Sequence, residues 1–507
     1  MKFNKLAVAV AATVASHAYA LGPNVTPDVV FQLSGATAAD VQVQTYYSTL
    51  CDISTQDNYE FDGSGTDASA VFCTVPASAG VFSTDKNVLF HKQSGGSIDG
   101  VAPVFNQTTV AAVNMSSCSQ ISANTGTVAG EYTCTSTTPA PAMVGISDVE
   151  PELFTIGANN EAGVQINLSA PRKVSTVNAQ TFGVVASPGL RDALQSAQGL
   201  SVGSDEVQDM PSLSSDLIAN LFAGKVANWS QLKNAAGLGI DSGAGLSNGA
   251  VNICVRTPGS GTQAQFNAYY MGNPCNYRGA GNGGYVGFNT AIDSNGIEND
   301  SPVILIGGLF PAPGPYIHKN EGSSDMGKCV TNISNAGRWA LGVQSLEKVD
   351  EGRTDRNQFK YLAIDGVAPT LENVAAGLYQ NWASMTIQWR TDVVAAGSDQ
   401  EALAEKFVEI ARNISDVKDF NLGLQTDDGN TNNDNRPAGG FNAPEILATG
   451  GAAPVNVGSL VFADSSNVPS FPFDANNPVM PFNKGLVGQS SCAVPALGST
   501  GIDVSQK

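Results

Sequence analysis

Short apolar runs that pass directly into Gly/Ser/Thr turns are the feature that most limits the fold of this chain. Four such runs lie at residues 29–33, 88–90, 142–144 and 251–255. Helical patterns follow two or three of the turns, including one from Ala38 and one from Gln263 to Tyr270. Strands that alternate with helices are typical of α/β layers. The sequence therefore predicts a fold built from α/β lobes.

Later segments fit the same scheme. Residues 182–186 form an apolar run that we expect to cross between lobes, and residues 382–389 also predict a strand. A Ser-Ser-Asp cap at 214–216 opens one helical pattern, and residues 400–414 carry the apolar stripe of another. From about residue 425 the chain is rich in Asn, Gly and Pro, which predicts a C-terminal extension.

The N-terminus has the composition of a secretory signal. Lys2 and Lys5 precede an apolar stretch at 6–16, and Ala18-Tyr19-Ala20 is a small-x-small cleavage site. The apolar stretch is too short to cross ~30 Å of hydrocarbon. Cleavage after Ala20 would leave 487 of the 507 residues. We therefore expect a periplasmic or secreted protein.

Composition excludes several classes of protein. Apolar residues make up 42% and charged residues 14% of the chain, against about 25% charged in an average domain, which excludes a coiled coil and charge-driven disorder. The net charge is −20, or −22 without the two signal lysines. This charge argues against nucleic acid and against an anionic membrane surface as partners.

The cysteines predict disulfides. All eight lie after the signal, and an even number in an exported chain favours pairing. No Cys-x-x-Cys or Cys/His cluster indicates zinc, and no cofactor is expected. Eight cysteines allow 105 pairings. Closure over short distances favours Cys51 with Cys73, Cys118 with Cys134 and Cys254 with Cys275, which leaves Cys329 for Cys492.

The Gly/Ser/Thr turns could together surround an oxyanion. The first amides of a helix lack intrahelical partners and lie at the positive end of its dipole. Glycine lets the backbone approach a ligand closely, and Ser or Thr adds a hydroxyl donor. Singly, each turn is more often an ordinary helix cap, so it is their repetition that indicates a site. The candidates are Ser34, Ala36, Thr37, Ser97, Ser147, Asp148, Arg256, Ser260, Gly261 and Thr262.

Two candidates carry charge. Arg256 offers a planar fork for bidentate contact with an oxyanion, although a surface ion pair would also explain it. Asp148 would repel an anion unless the ligand carries a proton that the carboxylate can accept, as hydrogen phosphate does and sulfate does not. A site that depends on one hydrogen bond can reject the analogue lacking it.

These motifs resemble the phosphate-binding protein of the phosphate ABC transporter (PstS-like), including its secreted relatives. The similar segments include Ser34–Thr37, the Gly96-Ser97 loop, Gly145-x-Ser147-Asp148, residues 213–229 and Arg256-x-x-Gly259-Ser260-Gly261-Thr262. The resemblance implies a two-lobed type II periplasmic binding protein with a ligand in the interlobe cleft. It also implies a monomer that is not an enzyme and that delivers inorganic phosphate to an inner-membrane ABC permease.

The resemblance assigns both the phosphate site and the domains. The residues implied to bind phosphate, called the predicted cage below, are Thr37, Ala38, Ser97, Asp148, Arg256, Ser260, Gly261 and Thr262. Ala38 departs from the family's aromatic residue, and Pro258 replaces an acidic residue that orients the arginine. Residues 21–186 would form the first part of lobe I, with insertions at 51–90 and 102–140. Residues 187–370 would form lobe II, 371–424 the return to lobe I, and 425–507 the extension.

Two other functions remain open from the sequence. Gly199-x-Ser201-x-Gly203 and Gly245-x-Ser247-x-Gly249 match the nucleophile elbow of serine hydrolases, but after signal removal only His91 and His318 could act as bases. Alternatively, a secreted or surface protein could use the same fold as a scaffold or for another tetrahedral oxyanion. Asp148 speaks against sulfate in that role, whereas arsenate carries the same proton as phosphate.

Overall fold

The computed structural model describes most of the chain between residues 21 and 413. The described ranges are 21–155, 159–160, 164–272, 315–346, 348, 358–370, 373–374 and 377–413, together with 446–448, 482–483 and 496–497. The predicted signal and nearly all of the predicted C-terminal extension lie outside them. Within these ranges no helix has the length and apolar character needed to cross a membrane.

The described residues alternate between strands and helices, as predicted. The helices are α1 (Asp40–Leu50), α2 (Ala102–Asn106), α3 (Pro188–Gln198), α4 (Ser215–Phe222), α5 (Gly261–Tyr269), α6 (Ser323–Asn335) and α7 (Asp399–Arg412). The strands are β1 (Val29–Ala36), β2 (Asp57–Phe61), β3 (Asp67–Val75), β4 (Lys86–Gly95), β5 (Thr109–Val113), β6 (Cys118–Ser122), β7 (Gly130–Cys134), β8 (Thr137–Pro141), β9 (Val144–Ser147), β10 (Arg172–Ala186), β11 (Ser212–Leu213), β12 (Asn252–Arg256), β13 (Tyr316–Asn320), β14 (Ala340–Ser345), β15 (Lys360–Tyr361), β16 (Ala363–Ile364), β17 (Trp382–Arg390), β18 (Ile446–Ala448), β19 (Phe482–Asn483) and β20 (Ala496–Leu497).

One mixed sheet contains two similar units. Its strand order is β13-β12-β14-β10-β17-β9-β1-β4-β3-β2-β7-β6. In lobe I, β4 and β9 flank β1 in parallel, and β17 runs antiparallel to β9. In lobe II, β13 and β14 flank β12 in parallel, and β10 runs antiparallel to β14. The predicted α/β class is confirmed, and the structure adds that its main sheet is mixed.

Two long strands connect the lobes. The first part of β10 pairs with β17 from Arg172 to Thr181, and its last part, from Phe182 to Ala186, pairs with β14. The predicted crossing strand at 182–186 is therefore part of this longer strand. Strand β17 then returns the chain to lobe I, where it pairs with β9.

Each lobe has its own apolar core. The core of lobe I includes Phe31, Phe90 and Phe407, and Phe31 lies edge-on to Phe407 at a centroid distance of 5.2 Å. The core of lobe II includes Phe222 and Trp229. Because Phe407 belongs to the apolar stripe of α7, the periodicity at 400–414 correctly located the helix that covers the sheet of lobe I.

Two disulfide predictions are confirmed in the residues added to lobe I. Strands β3, β2, β7 and β6 extend the sheet beyond β4, and β5 pairs with β8 in a separate two-stranded sheet. Cys51 is bonded to Cys73, and Cys118 is bonded to Cys134. Both bonds close short loops, as the spacing predicted.

The other two disulfide predictions are wrong. Cys254 is bonded to Cys329, which lies 75 residues away, and not to Cys275. Cys329 is therefore not bonded to Cys492 either, because its partner is Cys254. Both Cys275 and Cys492 lie outside the described residues. Cys254 is on β12 and Cys329 is on α6, which packs on that strand. Packing of helix on sheet therefore overrides closure over a short loop.

Candidate functional site

The predicted oxyanion turns follow the carboxyl ends of the parallel strands. Thr37 follows β1, Ser97 follows β4 after one glycine, and Asp148 follows β9 directly. The register places Gly35 beside both Ser94 of β4 and Ile146 of β9. In open α/β sheets, ligands bind beyond the carboxyl ends of the strands. The topology therefore brings these three turns of lobe I to one edge.

Lobe II contributes the N-terminus of α5 to the same place. Ser260 caps this helix, because its Oγ accepts a hydrogen bond of 3.3 Å from the backbone N–H of Gln263. Gly261 and Thr262 form the first turn, whose N–H groups have no acceptor within the helix. This cap confirms the helix predicted after the Gly-Ser-Gly-Thr turn.

The lobes are in contact at Gly261. A Cβ at this position would lie 2.7 Å from Oδ2 of Asp148 and closer still to Oγ of Ser97. That Oγ also accepts a hydrogen bond of 3.1 Å from the backbone N–H of Asp148. The structure thus brings Ser97, Asp148 and Gly261 together from three separate turns. Only glycine fits at residue 261 while the lobes are in this position.

A backbone hydrogen bond joins the lobes beside this contact. The N–H of Ile98 donates to the carbonyl of Gly259 at 2.9 Å. A Cβ on Gly96 would lie 2.8 Å from that same carbonyl oxygen. Glycine at positions 96 and 261 is therefore required for the close approach of the two lobes.

Arg256 is held by the start of α6. Its Nη1 donates to Oγ of Ser323 at 2.8 Å, and its Nη2 and Nε donate to the carbonyl of Glu321 at 2.7 and 3.2 Å. The side chain is 3% exposed. These acceptors are neutral groups that orient the guanidinium in a chain where Pro258 replaces the expected acidic residue. No local pattern in the sequence indicated the role of Ser323.

A cavity of about 740 Å³ opens beside these turns. Of the predicted cage, only Thr37 and Ser260 line it. The other members are buried and do not line it, namely Ala38, Ser97, Asp148, Arg256, Gly261 and Thr262. Ser323, the partner of Arg256, does line it. The cavity is thus next to the predicted cage.

The cavity wall includes residues that the sequence did not indicate. From the insertion come Gly65, Thr66 and Asp67, and from lobe II come Lys319, Glu321 and Lys348. Asp67 begins β3, so its place at the cleft depends on how the insertion joins the sheet. No motif marks such a position.

Charged groups on the wall affect one another. Burial and the charge of Asp40 raise the pKa of Asp67, and the charges of Lys92 and Lys348 act against this rise. Burial lowers the pKa of Lys319. Lys92 is buried and donates to both Asp40 and Oγ of Ser94. Because Asp40 and Ser94 line the cavity, these hydrogen bonds hold both side chains in the lobe I wall.

The serine-hydrolase patterns lack the required local structure. Ser201 follows α3 and does not lie between a strand and a helix, and Oγ of Ser247 donates to the carbonyl of Ala336 at 2.8 Å in a loop. Burial lowers the pKa of His91 to about 4, which keeps this imidazole neutral in lobe I. His318 lies on β13 in lobe II. Among the described residues, no group of three or more His, Cys, Asp or Glu side chains is arranged to hold a metal ion.

Comparison with known proteins found similar solved structures only. They include a putative phosphate ABC transporter substrate-binding protein with bound phosphate from Clostridium perfringens, with 12% identity, a TM-score of 0.37 and coverage of 78% of this chain and 97% of that one. An ABC-type phosphate transport receptor from Vibrio cholerae has 12% identity, a TM-score of 0.36 and coverage of 78% and 98%. PstS from Borrelia burgdorferi has 9% identity, a TM-score of 0.27 and coverage of 75% and 97%.

No protein-family model and no curated protein matches the chain. The function proposed below therefore rests on the geometry of this chain's own residues.

Proposed function

We propose that this chain is an exported, monomeric solute-binding protein that reversibly binds inorganic phosphate between its lobes, without catalysis. An inner-membrane ABC permease would receive the phosphate. The observation that carries this proposal is the contact of Gly261 with Ser97 and Asp148, because it joins an α-helix N-terminus to two turns of the other lobe. In this proposal, all eight residues of the predicted cage bind the phosphate.

The chemistry of the three groups suits a partly protonated oxyanion. The N-terminus of α5 offers N–H donors at the positive end of the helix dipole. Arg256 supplies a fixed positive charge, and its hydrogen bonds to Ser323 and Glu321 hold the guanidinium in place. Asp148 would accept the proton of hydrogen phosphate. Sulfate, which has no such proton at neutral pH, would leave the carboxylate facing an anion.

The lobes provide the means of capture and release. Strands β10 and β17 link them, so a small rotation about these strands would separate Gly261 from Ser97 and Asp148. Closure around a ligand by such rotation is a common domain motion. Closed lobes exclude water, which strengthens the hydrogen bonds to the anion.

Calorimetry of the chain without its first 20 residues tests the proposal. Phosphate and arsenate should bind, and sulfate should bind far more weakly. Affinity should depend only weakly on salt, because buried contacts are screened much less than surface charges. Absence of phosphate binding would refute the proposal. Selective binding of a different oxyanion would favour the alternative ligand, and a steep salt dependence would contradict a buried cage.

A further inference from the structure

We propose that Asn159 is a positioning residue that holds lobe II closed over the bound anion. Asn159 belongs to lobe I, between β9 and β10, and it does not line the cavity. It is not a member of the predicted cage either, so it would slow the release of phosphate without touching it. This inference rests on the proposed phosphate site and adds the contact that controls how long the ligand stays there.

The first observation is that lobe I binds both backbone polar groups of Gly259. The N–H of Gly259 donates to the carbonyl of Asn159 at 2.9 Å, and its carbonyl accepts from the N–H of Ile98 at 2.9 Å. Gly259 comes directly before Ser260, the cap of α5. The backbone of Asn159 therefore contacts lobe II beside the helix N-terminus that would donate to the anion.

The side chain of Asn159 makes a second link to lobe II. Its Oδ1 accepts a hydrogen bond of 2.8 Å from Nδ2 of Asn267 on α5, and its Nδ2 donates to the carbonyl of Leu153 at 3.2 Å. Asn159 is 1% exposed, and Asn267 is fully buried. Because Leu153 also belongs to lobe I, the Asn159 amide is oriented by its own lobe and presents its oxygen to the other lobe.

The link continues from Asn267 to the predicted cage. Oδ1 of Asn267 accepts from Nε2 of Gln263 at 3.1 Å, and Oε1 of Gln263 accepts from the backbone N–H of Arg256 at 3.0 Å. The backbone N–H of Gln263 donates to Oγ of Ser260. Hydrogen bonds that follow one another in this way polarise one another. A chain of amides thus connects the contact at Asn159 with two members of the cage.

Apolar packing beside this link joins the same two elements. Ala264 of α5 is fully buried in a cluster that includes Val149, Leu153 and Phe154 of lobe I. In the closed lobes, loss of the Asn159 amide would leave Nδ2 of Asn267 buried without its acceptor, which costs free energy. In open lobes, water would take the place of that acceptor. Removal of the amide should therefore destabilise the closed form and not the open form.

This difference predicts which rate constant changes. Phosphate would enter the open form, and the lobes would then close around it. A less stable closed form leaves the association rate constant unchanged and raises the dissociation rate constant. A residue that only helped lobe I to fold would lower the free energy of unfolding and leave both rate constants of the folded protein unchanged.

The exchange of radiolabelled phosphate tests the inference on the chain without its first 20 residues. A chase with unlabelled phosphate gives the dissociation rate constant, and calorimetry gives the affinity, from which the association rate constant follows. Asn159→Ala removes the amide and keeps the backbone carbonyl that Gly259 uses. Asn267→Ala removes the same link from lobe II.

Gln195→Ala is the matched control. Gln195 is also a fully buried amide, and its side chain makes hydrogen bonds to Gly203, Ser204 and Asp209, all within lobe II. It does not line the cavity. This variant should lower the free energy of unfolding in denaturant and change neither rate constant for phosphate.

Asn159→Ala and Asn267→Ala should each raise the dissociation rate constant about tenfold, as expected for one buried hydrogen bond. Each should leave the association rate constant within about twofold. The double variant should release phosphate no faster than the faster of the two single variants, since both substitutions remove the same bond.

The other outcomes separate this inference from the proposed function. An unchanged dissociation rate constant in folded Asn159→Ala would overturn the inference and leave the phosphate site intact. Multiplied increases in the double variant, or a loss of affinity caused by slower association, would also overturn it. If Asn159→Ala does not fold, an unchanged dissociation rate constant in Asn267→Ala would have the same meaning. Failure of the wild type to bind phosphate would remove the proposed function as well.

Discussion

Arg256 is the residue whose loss should most directly weaken anion binding. Arg256→Ala removes the charge and should weaken phosphate binding by about 1.5–3 kcal/mol, the range for a hydrogen bond to a charged group. Ser323→Ala removes one hydroxyl that accepts a hydrogen bond from Nη1 and keeps the charge, so it should have a smaller effect in the same direction. Calorimetry measures both affinities, and unfolding curves verify that each variant is folded. Unchanged affinity in folded Arg256→Ala would contradict its place in the cage.

Asp148 should determine which oxyanion binds. Asp148→Asn keeps the shape of the side chain but removes the charge that disfavours sulfate, so the preference for phosphate over sulfate should fall. Calorimetry with both anions measures the ratio. Glu152→Gln, in the next turn and outside the cage, is the control. Equal preference in wild type and Asp148→Asn would assign the discrimination to another group.

At the scale of elements, the disulfide between Cys254 and Cys329 joins two parts of the anion site. Cys254 lies two residues before Arg256 on β12, and Cys329 lies on α6, whose first residue is Ser323. Replacing both cysteines with alanine should lower the free energy of unfolding by about 2–5 kcal/mol. It should also weaken phosphate binding, because the strand and the helix lose their covalent link.

The insertion disulfide gives a matched control for this prediction. Cys118 and Cys134 also connect two elements, but they lie in the strands added to lobe I. Their replacement with alanine should reduce stability and leave phosphate affinity unchanged. The measurements are denaturant unfolding and calorimetry. Equal losses of affinity in the two double variants would contradict a specific link between Cys254–Cys329 and Arg256.

Asp57 in the insertion should make stability depend on pH. Burial raises the pKa of this carboxyl to about 6, against a backbone N–H from Gly130 that lowers it. The unfolded chain, in which this carboxyl has a pKa of ~3.9, then binds fewer protons than the folded one between pH 4 and 6. The contribution of Asp57 to stability therefore falls as pH rises through this range.

Asp57→Asn should remove this dependence. The free energy of unfolding of the variant, minus that of wild type, should be larger at pH 7 than at pH 4. Denaturant unfolding at both pH values measures this difference. Asp62→Asn changes an exposed residue next to β2, so its free energy of unfolding should differ from that of wild type by the same amount at both pH values. A constant difference between Asp57→Asn and wild type would contradict a raised pKa.

At the scale of the whole molecule, the sequence predicted the elements better than their assembly. The strand ending at Arg256 and the helix capped by Ser260 were predictable, because their apolar runs and capping residues are local signals. The partner of Cys254 was not, because it depends on how α6 packs across the sheet. The contact of Ser323 with Arg256 and the place of Asp67 in the cavity wall follow from the same long-range packing.

The contact between lobes gives the prediction that concerns the whole molecule. Gly261→Ala should prevent the lobes from meeting, since the added Cβ would collide with Ser97 and Asp148. In saturating phosphate, small-angle X-ray scattering should give a larger radius of gyration for this variant than for wild type. Phosphate affinity should fall more than tenfold while the unfolding transition remains cooperative. Gly22→Ala is the control, because a Cβ there would meet only the Tyr132 hydroxyl, at 3.9 Å. A compact Gly261→Ala variant that binds phosphate like wild type would show that binding does not require this contact.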